Sequence, residues 1–521
     1  MRHAQQHAFE RALALVANSD FGRRFGLRSV RTLEDLRRAV PLHTYEDLRP
    51  YIDRVWHGEV GALFTPQQRV LMFATTSGTT AQPKFVPVTP AFVQDYRRGW
   101  NTFGLKMLTD HPDAALRAIL QSSSRHDAGY SPTGIPCGAI TGLLARTQKR
   151  IVRRFYVGRP EIAHLPDARA RYYTLMRLGV VRDVAFAITA NPATLIQLAR
   201  TAAEESETLI RDVHDGTLAA AYVPDDALRR ALMAESKPNP DAARRLERLR
   251  AEHGTLRPRD YWNLSFVACW TAGSMGHYLT RLREWYGDLP IRDIGLLASE
   301  GRVSIPLADN VAAGALDLQS AVFEFVPAAQ LGAPDAETCW PWELETGRDY
   351  AVVLTNTAGL IRYRLDDVVR VVGWLGQTPL IEFLYRGGRV ASVAGEKLTE
   401  NQVVEAVRTA CRSLGLKEVD FVLAPVWDDP PYYRLSCEGE PDPRLGDAVD
   451  RALGEQNGEY SSRRKSSRLG NLRTRAISPG AIAAMDARLS GQRGSSAEQY
   501  KRPCLFVAPG EDDQALAPNN T

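Results

Sequence analysis

Residues 70–88, VLMFATTSGTTAQPKFVPV, constrain the fold of this chain more than any other stretch. An apolar run (Val70–Ala74) and a second short β-type run (Phe85–Val88) flank Thr76–Lys84, where hydroxyls, one glycine and a lysine are concentrated. A Thr- and Ser-rich loop after a strand, with Gly78 permitting a tight backbone turn, offers N–H and O–H donors to an anion. Lys84 adds a point charge suited to phosphate. That lysine does not follow the last glycine directly, so the GxxxxGK[ST] phosphate loop is excluded. The structural alternative is a polar surface hairpin.

A chain of 521 residues exceeds what one hydrophobic core serves, so two or more domains are expected. Its apolar share (44%) and charged share (24%) are those of an ordinary soluble globular protein. The net charge of +4 is small and its basic residues are dispersed, which argues against a nucleic-acid partner. Cys137, Cys269, Cys339, Cys411, Cys437 and Cys504 show neither CxxC nor zinc spacing and read as reduced thiols. The N-terminus lacks the apolar core of a signal peptide, and no run approaches the roughly 18 apolar residues of a membrane span. The expectation is a soluble cytoplasmic protein with no membrane partner.

Helical spacing marks residues 4–18 and 32–38. Asn191-Pro192 reads as an N-cap with proline at the first helical position, and Pro240–His253 as a charged helix stopped by Gly254. Strands are expected at 265–270, 291–297, 321–326, 350–356, 368–374 and 380–385. Their alternation with helices gives an α/β architecture, the later strands following one another as in an antiparallel meander. At Arg386-Gly-Gly-Arg389 the pattern is interrupted. A compact α+β unit follows: helix 400–414, strands 419–427 and 432–439, and helix 444–456. The basic, serine-rich stretch 461–475 lacks interleaved aromatics and reads as a solvated loop, and residues 509–521 as a disordered tail.

Three further stretches fall where the first needs partners. Ala298-Ser299-Glu300-Gly301 follows an apolar strand, so its carboxylate is placed to hold Mg²⁺ bridging phosphate oxygens. A helix-capping Ser-Glu pair is the alternative. Asp366 and Asp367, in YRLDDVV, lead into a strand, where acids are unfavourable unless employed; one suits ribose hydroxyls, and an Arg–Asp ion pair is the alternative. Lys501, in QYKRP, would by itself be a solvated side chain.

Together and in this order, TTSGTTAQPKFVPVT, CWTAGSMGHYL, LLASEGRVSIP, YRLDDVVRV, GEKLTE and AEQYKRP resemble one family from about Phe21 to Phe506. It is the Gretchen Hagen three family of auxin-responsive acyl acid–amido synthetases, a branch of the adenylate-forming superfamily. The resemblance implies a large N-terminal domain (1–386) with mixed sheets and a β-barrel-like portion, and a hinge (387–392). A small mobile α+β domain (393–508) and the tail (509–521) follow. It implies that ATP and Mg²⁺ activate a carboxylic acid as an acyl-adenylate, which an amine or amino acid then attacks, in a monomeric enzyme. Thr76, Ser77, Gly78, Thr79, Thr80 and Lys84 match the phosphate loop, and Ala298, Ser299 and the metal-associated Glu300 the second motif. Asp367 matches the ribose-binding acid, Arg386 the hinge arginine and Lys501 the mobile catalytic lysine. Tyr130, Gly273, Ser274, Met275 and His277 fall in stretches that line the acyl site.

This chain departs from the family pattern at several places. Ala81-Gln82 stands in the phosphate loop where a glycine is usual, Asp366 at the glycine of YRxGD, and Ala272 at a glycine of the WTGGS-like stretch. Leu296-Leu297 stands where an aromatic residue usually lies near adenine. Two other readings stay open: an acid–thiol ligase serving coenzyme A or a carrier protein, and a catalytically inactive nucleotide-binding module.

Overall fold

Two fully buried apolar runs, VAFAI and FVAC, form the central pair of a parallel sheet. They are flanked by AILQ, whose residues alternate between buried and half-buried, and by IRD, whose two charged residues are buried. The computed structural model describes the chain except for residues 77–83, 166, 273–274, 276–277, 332, 334–335, 388–389, 395, 397, 466–468, 493–501 and 518–521.

In chain order the strands are β1 (Met72–Thr76), β2 (Lys84–Val88), β3 (Ala118–Gln121), β4 (Gly129–Tyr130), β5 (Pro136–Gly138), β6 (Val184–Ile188), β7 (Phe266–Cys269) and β8 (Ile291–Asp293). Next come β9 (Leu297–Ala298), β10 (Gly301–Arg302), β11 (Ser304–Pro306), β12 (Gly314–Leu316), β13 (Val322–Pro327), β14 (Asp349–Thr355), β15 (Tyr363–Leu375) and β16 (Thr378–Arg386). The last are β17 (Val390–Ala391), β18 (Leu398–Thr399), β19 (Phe421–Val426), β20 (Tyr432–Glu438) and β21 (Arg473–Ile477).

Strands β3-β6-β7-β8 form an all-parallel sheet. Their carboxyl ends therefore share one edge, where ligands bind in open α/β sheets. A second sheet, β2-β1-β5-β4, carries the antiparallel pair β1–β2, with Thr76 opposite Lys84. The third is antiparallel, β11-β12-β16-β15-β14-β13, and contains the meander expected from 321 to 385. It is the counterpart of the barrel-like portion, although β11 and β13 remain at its two edges.

Local chemistry sets the helix boundaries. Thr89 caps the helix Pro90–Asp110 through Phe92 N (3.1 Å), and its hydroxyl also donates to Thr357 O (2.8 Å), tying the helix start to the third sheet. Asn191 caps Pro192–Glu204, as the sequence predicts. Thr399 and Gln402 form a capping box for the helix Glu400–Leu414, and Gly415 closes it in the left-handed conformation. A separate core of residues between Ala391 and Leu505 joins this helix to β19, β20 and the helix Leu445–Gln456.

Two expectations for the carboxyl-terminal part are corrected. The basic stretch 461–475 is not a solvated loop: the helix Gly458–Lys465 enters it, and from Arg473 it forms β21, parallel to β20. Arg464 is held by Asp450 (2.6 Å), and Arg473 stacks 3.8 Å from the centre of the Tyr432 ring. The tail is not disordered from 509 onward, because Glu511–Leu516 is a helix docked on the small domain. Its anchor is Asp512, fully buried and paired with Arg434 (2.7 Å) and Arg475 (3.1 Å). Removing the acid takes away the buried partner of both arginines and leaves them the half-exposed Asp513, which also pairs with each. Asp512→Ala should therefore lower stability by about 2 kcal/mol in urea unfolding, below the cost of breaking a fully buried pair because both arginines reach solvent.

Candidate functional site

Residues far apart in sequence meet at the end of β1. Ser299, between β9 and β10, donates its hydroxyl to Thr75 O (3.1 Å). That bond fixes the turn carrying Glu300 beside the strand that leads into the loop 77–83. Glu300 is only 2% exposed. Its backbone carbonyl accepts from Asn356 Nδ2 (2.6 Å), while its Oε1 is buried with no hydrogen-bond partner among the described residues. A buried carboxylate oxygen left unpaired costs free energy unless a cation or donor completes it.

Across the loop, Lys84 opens β2 with its ammonium 5.4 Å from the centre of the Tyr45 ring. The Tyr45 hydroxyl accepts from Phe85 N (2.7 Å), and burial pushes its pKa up to about 12, so the phenol is neutral near pH 7. The ring therefore supports Lys84 through its π face without adding a negative charge.

Asp367 is buried in β15, and its register partner on β16 is Arg386. The two expected nucleotide-contacting residues thus occupy opposed register positions of one strand pair, next to Gly387. Asp366, which stands at the family's glycine, has φ of +59°. The backbone keeps the left-handed conformation that a glycine would adopt, and aspartate tolerates it better than most residues. Gly387 N donates to Asp366 O (2.5 Å), and a Cβ on Gly387 would come within 2.4 Å of Leu331 Cδ2. A side chain at 387 would have to displace the end of the Leu331 side chain.

At the carboxyl edge of β7 and β8 lies a small cavity walled by Trp270, Ala272, Met275, Leu296 and Phe383, with Asp293 at its base. Asp293 Oδ2 accepts from Thr271 N and Thr271 Oγ1 (both 2.7 Å), and Oδ1 from Gly295 N (2.6 Å). Burial raises its pKa to about 6 despite these three donors. The carboxylate pins the chain leaving β7 to the chain leaving β8. Leu296 shares this cavity with two aromatic rings from elsewhere, Trp270 and Phe383, so the missing aromatic before the Ser-Glu pair does not leave it without aromatic walls.

The small α+β part contacts the same region. Arg281, in the helix Leu279–Tyr286, pairs with Asp420 (2.7 Å), which also receives Arg502 (2.7 Å). Arg502 binds Asp486 (2.8 Å), and its guanidinium lies 5.2 Å from the centre of the Tyr278 ring. Arg502, which follows Lys501 in the sequence, thus meets Tyr278 of the large part directly.

Among the expected site residues, Lys84, Ala298, Ser299 and Glu300 are brought together, Asp367 lies opposite Arg386, and Met275 lines the cavity. Tyr130, on β4, is 60% exposed and does not line it. Ser77, Gly78, Thr79, Thr80, Gly273, Ser274, His277 and Lys501 lie outside the described residues, as do Ala81-Gln82 and the side chains of Thr76 and Arg386. Sequence reasoning missed Tyr45, Asp293, Asn356, Phe383 and the Arg281–Asp420–Arg502 cluster. Only Asp293 had a visible signal, an acid inside the apolar run IRDIGLL.

Comparison with known proteins gives first the class and then the family. Over 99% of its length the chain superposes on a GH3.15 acyl acid amido synthetase (TM-score 0.84, 21% identity, 92% of that chain), so its fold is that of acyl acid amido synthetases. The GH3 family N-terminal domain matches residues 1–291, the central domain 314–386 and the C-terminal domain 401–509. The chain belongs to the GH3 family. Its relatives include a jasmonoyl–L-amino acid synthetase GH3.5 of Oryza sativa subsp. japonica, 27% identical, with 99% of this chain and 94% of that one aligned. A probable indole-3-acetic acid-amido synthetase GH3.12 of the same subspecies is 28% identical over 97% and 91%.

The left-handed Asp366 yields a direct test. Asp366→Gly should raise stability by about 1 kcal/mol in urea unfolding, since glycine adopts this φ without the Cβ penalty.

Proposed function

We infer that this protein is an ATP-dependent acyl acid–amido synthetase that activates a carboxylic acid as an acyl-adenylate and transfers the acyl group to an amine or amino acid. The observation that carries the reading is the Ser299–Thr75 hydrogen bond, which puts the buried Glu300 beside the strand entering the Thr76–Lys84 loop. Membership of a family whose named relatives are amido synthetases supports it.

In this reading the loop and Lys84 hold the β- and γ-phosphates, and Asp367 accepts from the ribose hydroxyls beside Arg386. Trp270, Leu296 and Phe383 enclose apolar parts of the ligands, and Met275 bounds the acid. Glu300 fits Mg²⁺: Oε1 is buried without a hydrogen-bond partner among the described residues, and this ion commonly takes one protein carboxylate together with substrate phosphates. Held there, Mg²⁺ would supply charge neutralisation at the phosphates. A carboxylate oxygen of the acid attacks the α-phosphorus and pyrophosphate leaves. Lys501 is assigned to the charge that builds on the α-phosphoryl and acyl oxygens. The amine then attacks the acyl carbon, loses a proton and expels AMP.

We assign residues 1–386 to a large domain, 387–392 to a hinge and 393–508 to a small domain that must close over the acid for Lys501 to act. The Arg281–Asp420 bridge and the Arg502–Tyr278 contact are the bonds that favour closure. The reading extends to a monomer in the cytoplasm, for which gel filtration and cell fractionation are the checks.

Incubation with ATP, Mg²⁺, hydroxylamine and a panel of carboxylic acids should yield hydroxamates. No turnover across a broad panel would favour a nucleotide-binding module. Lys501→Ala should abolish pyrophosphate release while ATP still binds; unchanged adenylation in that variant removes Lys501 from the mechanism. Arg281→Ala should slow adenylation by about two- to fivefold at low salt, with the difference vanishing at high salt, because the bridge is partly exposed. An effect that persists at high salt would contradict an electrostatic role in closure.

A further inference from the structure

A second concentration of positive charge lies on the side of the parallel sheet away from β8. Between Asp127 and Glu161 the chain has no acidic residue, yet it carries Arg146, Lys149, Arg150, Arg153, Arg154 and Arg159. Part of this segment forms one wall of a cleft of about 770 Å³, with residues 231–239 opposite and the helix Ala168–Gly179 contributing to the floor. That volume falls within the range of small-molecule sites.

The charge in this cleft is largely uncompensated. Arg150, Arg153, Arg154, Arg182 and Lys237 line it and form no ion pair among the described residues. Of its two acids, Glu235 is already taken by Arg159 (3.0 Å), which leaves Glu161. Arg177 lines the cleft as well and is only 1% exposed. It donates to the carbonyls of Thr217 (2.9 Å) and Asp212 (2.7 Å). The nearby Asp212 carboxylate offsets part of its charge but is occupied by Tyr173 Oη (2.6 Å), Thr217 Oγ1 (2.8 Å) and Ala219 N (2.7 Å). Burial pushes the Arg177 pKa down, the sign of a desolvated cation that an anion would stabilise.

The basic wall is held in place rather than draped over the surface. Ile119 N donates to Phe155 O (2.8 Å) and Val157 N to Ile119 O (2.9 Å), so the segment is bonded along the outer edge of β3. Arg182 Nη2 reaches Arg154 O (3.1 Å) and closes the wall from the other side. A Cβ on Gly158 would come within 2.4 Å of Gln121 O, so only glycine permits this approach to the strand end. Exposed guanidinium groups carried on a backbone fixed in this way suit the paired oxygens of phosphates.

We propose that this cleft binds a multiply phosphorylated small molecule at a site separate from the Thr76–Lys84 loop. The test is calorimetric titration of the full-length protein with inorganic tripolyphosphate at about 0.15 M salt, where exposed charges are substantially screened. Saturable binding is expected, retained in Lys84→Ala and weakened at least about tenfold in Arg153→Glu/Arg154→Glu. The double variant should keep its circular dichroism spectrum and its hydroxamate formation. Arg146→Glu, in the same segment but outside the cleft lining, should change affinity less than about twofold. A parallel titration compares GDP with pyrophosphate: tighter GDP binding identifies a nucleotide, and equal affinities identify the phosphates alone, with the double variant weakening either. Absence of saturable binding, unchanged affinity in the double variant, or loss of the site in Lys84→Ala would each overturn the proposal.

Discussion

The arrangement of the site depends on one hydrogen bond between two sheets, from the Ser299 hydroxyl to the carbonyl of Thr75. Thr75 belongs to β1, which leads into the hydroxyl-rich loop, and Ser299 to the turn between β9 and β10. The bond spans 224 positions in the chain, and its donor Ser299 is buried while Thr75 is half-buried, so the hydroxyl has little water to fall back on. Asn356 holds the same turn from the third sheet by binding Glu300 O. The backbone of Glu300 is thereby fixed on two sides, beside the end of β1.

A similar logic governs the parts of the site assigned above to the nucleotide and to the acid. Asp367 and Arg386 occupy opposed positions of β15 and β16, and β16 ends where the chain passes into the proposed hinge. Asp293 ties the exits of β7 and β8 together through three donors and sits at the base of the cavity between Trp270 and Phe383. Arg502 connects these parts to the small domain, since it packs on Tyr278 and shares Asp420 with Arg281. Movement of the small domain would have to break the Arg281–Asp420 and Arg502–Tyr278 contacts. The Asp486 partner of Arg502 travels with it.

Much of the fold could be read from local pattern. The meander strands and the helices at 240–253 and 400–414 follow from apolar periodicity and explicit caps, which are properties of neighbouring residues. The misses have a common physical origin in contacts distant along the chain. Asp512 is buried because Arg434 and Arg475 wait for it on β20 and β21, and nothing local distinguishes GEDDQAL from a solvated tail. Arg473–Ile477 looks polar because its side chains are half exposed, while its backbone completes a parallel pair with β20. In the site, Asp366-Asp367 stood out because acids are unfavourable at a strand unless employed, and Lys84, Glu300 and Lys501 through the order of their motifs along the chain. Tyr45 and Phe383 were not, because an aromatic residue in a buried element looks the same whether it faces a ligand or the core.

The central claim is that the acid is activated at the α-phosphorus of ATP before an acceptor attacks. It is tested most directly by following oxygen from the acid. With a substrate acid whose carboxylate carries ¹⁸O, the account predicts that turnover with an amine acceptor releases AMP bearing one labelled oxygen, together with unlabelled pyrophosphate. Release of ADP with the label in inorganic phosphate would show activation at the γ-phosphorus and contradict the account.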